Sequence, residues 1–253
     1  VARNIALSLA LIAFVALPAR ADDDIDAKTK EILKKVGTLY KDAKSLHADM
    51  AIDVTVEADG QDKREFKVKG TIDVKRPNMF ALRTTVNKDA GLGPDVISDG
   101  KNLFIYAKRM KQYSEKKAPD KLPDVGRAML GLGFQNTGML FQNVLADDPA
   151  DALFEGVTEA KHVGMEKVDG KEAHHMKFKQ QGLDWELWVA SEGEPFVLKA
   201  KNLAEGPNGK LSTVETYTKW KLNGEFEKDP FTFKVPDGAE KVDRIGGRDG
   251  GPR

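Results

Sequence analysis

Apolar and polar positions alternate with a period of two from Ala48 to Glu57: Ala48, Met50, Ile52, Val54 and Val56 fall on one side, and Asp49, Asp53, Thr55 and Glu57 on the other. Successive side chains of a strand point to opposite faces, so this pattern predicts a strand with one wet face. A turn at Asp59-Gly60 leads to a partner in which Phe66, Val68, Gly70, Ile72 and Val74 share a face, which reads as an antiparallel hairpin. Pro77-Asn78 breaks that pattern, and Phe80, Leu82, Thr84 and Val86 then alternate in a third strand. Before the hairpin, Ile25, Ile32, Leu33, Val36, Leu39 and Tyr40 recur at helical spacing, with lysines and acids on the other face and Gly37 as an interruption. That predicts one amphipathic packing helix between Ile25 and Lys44.

The alternation resumes around Val96-Ile97, Leu103 to Tyr106 and Gln112-Tyr113, and again at Ala160 to Val168, Ala173 to Lys179, Leu183 to Ala190, Phe196 to Leu203 and Leu211 to Leu222. Along the last of these, Val214, Thr216, Thr218 and Trp220 face one way. Between Asp120 and Phe154 the texture changes to apolar clusters punctuated by Gly131, Gly133 and Gly138, which predicts two short helices. The expected fold is α+β: a strongly curved antiparallel sheet of about 10–11 strands forming an unclosed half-barrel, with helices over its open side. No repeat, low-complexity linker or change of composition divides residues 22–244, so one domain with a helical insert at 120–154 is expected. The glycine-rich tail 245–253 is expected to be disordered.

Arg3 precedes the apolar run Ile5 to Leu17, and Ala19-Arg20-Ala21 follows Pro18. A basic start, a short apolar stretch and small residues at a cleavage position describe an export signal over 1–21, and the expected location is the periplasm. Thirteen apolar residues fall short of the ~20 that cross a bilayer as helix. Transient membrane contact is the most expected of the mature chain.

Composition removes whole classes of function. There is no cysteine, which excludes disulfide scaffolds, thiolate metal sites and thioether-linked lipid anchors, and the 40 basic and 40 acidic residues cancel. A net charge near zero gives no field for a nucleic acid, and none is expected as a partner. Six serines and four histidines offer few nucleophile and base pairs. No serine lies in a G-x-S-x-G turn, and no phosphate loop or dinucleotide fingerprint is present. His174 and His175 are adjacent, and on a strand they point to opposite faces, one half-buried and one at the surface. His47 and His162 stand alone. Asp147, Asp148 and Asp151 lack the spacing of a calcium loop and fit helix capping. The basic run Lys108 to Lys117 fits a solvated edge strand, with an anionic lipid or acidic partner as the functional alternative. The expectation is a non-enzyme with no cofactor and no metal.

Apolar inventory remains. The inward strand positions Met50, Ile52, Val54, Phe66, Val68, Phe80, Leu82, Trp185 and Leu187 are the candidate lining of an interior site. Met129, Leu130, Phe134, Met139, Leu140 and Phe141 in the insert are the candidate lid. Alternation alone does not separate a filled core from a cavity for a hydrophobic guest, and both stay open at this point.

Three stretches together resemble the superfamily of outer-membrane lipoprotein carriers (LolA/LolB-like). These are Gly70 to Leu82 (GTIDVKRPNMFAL), with its Arg-Pro-Asn turn; Ile97 to Tyr113 (ISDGKNLFIYAKRMKQY), with an Asp-Gly-Lys turn and an aromatic strand; and Phe231 to Val242, with Phe-x-Phe-x-x-Pro-x-Gly. Within the superfamily the sequence is most similar to an uncharacterised family of predicted periplasmic proteins. The resemblance implies an eleven-stranded unclosed barrel lidded by helices, whose apolar interior receives a lipid, an acyl chain or the lipid moiety of a lipoprotein, with an envelope membrane protein as donor or acceptor. It also implies an alternative, since some superfamily members act in envelope sensing through protein contacts. Arg64, Arg76 and Arg83 are the candidates for the carriers' functional arginine, Arg76 fitting better as part of its turn.

Overall fold

A computed structural model describes residues 24–58, 62–86, 93–130, 145–206 and 209–246. The export-signal positions, the tail from 247 and the lid candidates Phe134, Met139, Leu140 and Phe141 lie outside the described residues.

Helix α1 (Ala27–Asp42) starts where Asp26 accepts hydrogen bonds from Thr29 N and Thr29 Oγ1, both at 2.8 Å, the side-chain cap that a helix start requires. It buries Ile32, Leu33, Val36 and Tyr40 on one stripe. Its last carbonyls are satisfied from a distance: the Arg76 guanidinium donates to Tyr40 O (3.1 Å) and Ala43 O (3.2 Å). Arg76 therefore holds the helix end. Gly37 does not interrupt α1. A Cβ there would lie 2.4 Å from Ala150 Cβ, so the glycine permits contact with a second helix at that point.

Six strands follow as a meander: β1 (Ser45–Ala58), β2 (Arg64–Lys75), β3 (Met79–Val86), β4 (Pro94–Asp99), β5 (Asn102–Ala107) and β6 (Gln112–Lys117). Helices α2 (Leu122–Leu130) and α3 (Pro149–Phe154) lie in the insert, and Asp148 caps α3 by accepting from Ala150 N and Asp151 N. A second meander comprises β7 (Val157–Val168), β8 (Lys171–Gln180), β9 (Leu183–Ala190), β10 (Val197–Gly206) and β11 (Gly209–Leu222), and the two-residue β12 (Glu240–Lys241) closes the chain.

The two meanders join through antiparallel β1 and β11, giving one sheet in the order β12-β6-β5-β4-β3-β2-β1-β11-β10-β9-β8-β7. It is an open half-barrel of twelve strands. The extra strand relative to expectation is β12, which runs parallel to β6 and pairs with what the sequence reads as a bare basic edge. Lys108 there is half-buried against Asp95 at 2.7 Å. The turn between β7 and β8 has positive φ at both Asp169 (48°) and Gly170 (80°), the backbone that an Asp-Gly hairpin turn supplies. The core lies between the inner wall of the sheet and α1, α2 and α3.

One strand departs from its sequence pattern. Lys219 has φ 53° and the β1–β11 register shifts opposite it, between His47 and Asp49. The bulge turns Trp220 to the core side, where it donates to Val197 O and packs on Tyr40. The side of β11 facing inward before the bulge is Thr213, Glu215 and Tyr217, so Trp220 does not share a face with Val214, Thr216 and Thr218. An extra residue in one strand flips everything beyond it.

Candidate functional site

Strand register orders the inner wall into rows. Near the open end, Leu183, Ala204, Leu211, Val56 and Arg64 are successive partners across β9, β10, β11, β1 and β2. The next row runs Phe178, Trp185, Asn202, Thr213, Val54, Phe66, and the one below it Met176, Leu187, Ala200, Glu215, Ile52, Val68. Met50 and Tyr217 come next, and Leu82 and Phe80 lie towards the end where α1 joins the sheet.

All nine lining candidates face inward on these rows, yet their surroundings differ. Met50, Ile52, Phe80, Leu82, Trp185 and Leu187 are buried in the main core. Val54 and Val68 are half-buried, and Phe66 is 37% exposed. The wall is thus covered by its own chain at one end and meets solvent along Val54, Phe66, Val68 and Leu183 at the other. The lid candidates Met129 and Leu130 fall in the last turn of α2. Leu122 and Val125 of the same helix, with Leu145 and Leu153, are buried against the wall.

A polar cluster interrupts the apolar wall. Glu215 is fully buried and accepts from Tyr217 OH (2.6 Å) and Asn202 Nδ2 (3.0 Å); Asn202 Nδ2 also donates to Thr213 Oγ1 (3.0 Å). Burial, with the Glu215 carboxyl beside it, pushes the Tyr217 hydroxyl well above the ordinary tyrosine range. Sequence reading did not single out this group, because neither face of β11 is consistently apolar. The pairing of β11 with β1, whose inward side is unmistakable, was the signal that could have revealed it.

The histidines sit differently from expectation. His162 is not alone: its Nε2 lies 3.1 Å from His174 Nδ1 across β7 and β8. Burial and the neighbouring His162 hold the His174 imidazole below the ordinary histidine range. His175 is on the outer face as expected, but only 4% exposed. It stacks on Trp188 at 4.3 Å, with Nδ1 3.0 Å from Glu166 and Nε2 2.7 Å from Glu186. Trp188 also donates to Glu166 (2.8 Å) and carries Lys199 over its ring at 4.3 Å. A short polar run on a strand gives no hint of burial, because the cover comes from neighbouring strands. His47 pairs with Asp73 at 2.7 Å. Among the described residues no three His, Asp or Glu side chains converge as a metal set, and no helix is long and apolar enough to cross a membrane.

Beside α1 lies a cleft of about 890 Å³, with Ile25, Phe154 and Val157 as its apolar part and Lys30, Lys34 and Lys41 along the helix. Lys41 pairs with Asp148 at 2.7 Å. Of the candidate arginines, Arg76 is committed to the helix end, Arg83 flanks a groove on the sheet's outer side, and Arg64 stands on the rim row.

Residues 29–244 match the model of a family described as "Predicted periplasmic protein (DUF2092)". No curated protein matches. Among the similar solved structures, all at low identity, are the following three. One is the Mycobacterium tuberculosis lipoprotein LppX, with 16% identity, 75% of this chain and 94% of that one covered, and a TM-score of 0.43. The LolA superfamily protein NE2245 from Nitrosomonas europaea has 13% identity, coverage of 81% and 97%, and a TM-score of 0.35. The Pseudomonas aeruginosa MucA/MucB complex has 14% identity, coverage of 83% and 62%, and a TM-score of 0.42. Likenesses of this size carry no argument about ligand or partner.

Proposed function

The chain belongs to the DUF2092 family of predicted periplasmic proteins, and from its periplasmic location and its inner wall we propose a non-enzymatic carrier or binding protein for a lipid, an acyl chain or a lipoprotein lipid moiety. The observation that carries this reading is the open end of the wall: Phe66 faces inward on its row and is 37% exposed, beside half-buried Val54, Val68 and Leu183. An inward-facing phenylalanine left to water is what a site awaiting an apolar guest offers. Each buried methylene contributes about 0.8 kcal/mol, so a dodecanoyl chain supplies on the order of 8 kcal/mol before the costs of association. An envelope membrane protein would serve as donor or acceptor.

The test is displacement of a fluorescent fatty-acid probe, 11-(dansylamino)undecanoic acid. Wild-type protein should bind it at micromolar concentration, and Phe66→Asp should weaken binding at least tenfold without lowering the melting temperature, since the side chain is already exposed. Absence of uptake by the wild type would overturn the reading.

The buried end favours a second reading, an envelope interaction or sensing module with a filled interior. Ile52, Phe80, Leu82 and Leu187 are all buried in the main core cluster. That module would bind no fatty-acid probe.

A further inference from the structure

The inner wall presents two polar atoms that have no hydrogen-bond partner among the described residues. Among the described residues, Trp185 Nε1 and Asn202 Oδ1 are the buried side-chain nitrogen or oxygen atoms without a hydrogen-bond partner. The two residues are direct partners across β9 and β10 and face inward; Trp185 is 3% and Asn202 9% exposed. Buried polar groups are nearly always paired, and leaving one unpaired forfeits its hydration with nothing in return. Two such groups side by side, one a donor and one an acceptor, need a common explanation.

Their directions are fixed by their neighbours. Asn202 Nδ2 is engaged with Thr213 Oγ1 and Glu215 Oε1, both at 3.0 Å, so the amide oxygen is the end left over. Trp185 is held by stacking on Phe178 at 3.7 Å with the rings nearly parallel. Opposed side chains on neighbouring strands have Cβ atoms about 5 Å apart, which places the two residues close enough to meet the same ligand.

We infer that this pair anchors the secondary amide of an amide-linked acyl chain, an inference that rests on the acyl-binding reading above and names its ligand class. The amide carbonyl accepts from Trp185 Nε1, and the amide N–H donates to Asn202 Oδ1. An ester satisfies only the first. A fatty-acid carboxylate likewise satisfies only the first and brings a second negative charge beside the buried Glu215, whereas a protonated fatty acid could satisfy both. Thr213, Val54 and Phe66 continue the same row, so a chain leaving the amide runs onto the half-open apolar surface at the mouth.

The experiment compares N-methyldodecanamide with methyl dodecanoate, which differ by N–H against O, as competitors for the dansyl probe on the full chain. Wild-type protein should prefer the amide by about tenfold, the factor that one buried hydrogen bond is worth. Trp185→Phe keeps the stacked ring and should weaken both competitors by a similar factor, leaving the preference in place. Asn202→Leu should abolish the preference and weaken the ester little. If Asn202→Leu does not fold, loss of affinity for both competitors in Trp185→Phe still tests the donor half. An N-dodecanoyl tripeptide identifies the source: tighter binding than N-methyldodecanamide assigns an acylated protein N-terminus, and weaker binding assigns a free N-acyl lipid. Equal displacement by amide and ester would overturn the anchor while leaving the acyl-chain reading standing, since water then satisfies the pair. Absence of probe uptake by the wild type would overturn both, and uptake of a probe that neither the amide nor the ester displaces would overturn the anchor alone.

Discussion

On the convex side of β3 to β6 the C-terminal segment lies across the sheet: Phe231 is buried against Ala81 and Ile97, with Phe226 edge-on at 5.1 Å, and Phe233 stacks on Phe104 at 4.8 Å. On the convex side of β7 to β10, Trp188 is buried by side chains of the sheet itself, through stacking with His175 and bonds to Glu166, with Lys199 above. Both arrangements remove an aromatic group from water on a face that strand alternation marks as wet. The first works by area and shape, which no proton concentration alters. The second works by directed, partly ionic contacts that cost more to assemble and respond to pH. The two halves of the half-barrel should therefore fail under different conditions.

The largest expected effect separates them by cavity formation. Phe231→Ala removes a buried aromatic side chain from the strap and should destabilise the protein by about 3–4 kcal/mol, a fall of roughly 10 °C in melting temperature for a chain of this length. Chemical denaturation at pH 7.5 and at pH 5.5 should give the same loss, because the contact involves no titrating group. A loss that depended on pH would break the distinction between the two faces.

His175→Ala is the counterpart on the other face and should cost less, about 2 kcal/mol, from two hydrogen bonds whose carboxylate partners regain water. Glu166 and Glu186 are tied to it by different balances. The bond from Trp188 holds the Glu166 carboxyl below its ordinary range, with His175 adding to it. Burial pushes Glu186 up, but bonds from His175 and Lys201 outweigh that and leave it lowered. In wild-type protein both groups therefore contribute stability that is present above about pH 4.5 and lost as the pH falls through their lowered values. Stability curves from pH 6 to pH 3 should be shallower for His175→Ala than for wild type; parallel curves would show that the histidine does not set the carboxylates' titration.

The same contrast explains what could be read in the sequence. Alternation located β1, β2, β3 and β9 and their inward residues because every second position there is apolar, although Ala81 of β3 and Trp188 of β9 are buried on the other face as well. Helix α1 was legible for the same reason at its own period. The strap was visible only as a motif, Phe231-x-Phe233, since irregular chain has no period to betray what it covers. Trp220 was grouped with Val214, Thr216 and Thr218, from which one bulged residue, Lys219, separates it, and nothing in the Lys219 side chain announces its positive φ. His175 looked superficial because a strand's own sequence does not say what its neighbours place over it. Of the candidate lining, inward direction was legible; which end of the wall is covered was not, because that depends on where α1 and α2 settle.

The smallest effect concerns the inner side of the second meander, where His174 meets His162 beside α1. Burial and the charge of His162 lower its proton affinity, with Lys28 and Lys35 adding to this and Glu31 opposing it. A histidine whose native pKa lies below its unfolded value near 6.5 binds fewer protons folded than unfolded, so stability rises with pH across that window. It is fully present above about pH 6.5 and declines as the pH falls towards the native value. This window lies above that of Glu166 and Glu186, which lets the two sets be separated in one titration. His174→Gln keeps a polar side chain of similar length and removes the proton. Its melting temperature should match wild type at pH 5.5 or exceed it slightly, after falling below it by a degree or so at pH 7.5 through loss of the bond to His162. The strap offers a built-in reference in the same measurement: Asp229, bonded by Thr232 and by Phe231 N, is held below the ordinary aspartate range and stays ionised throughout. A difference between variant and wild type that did not change between pH 7.5 and pH 5.5 would show that the histidine pair is only a packing contact, and acid sensitivity would then belong to the outer network alone.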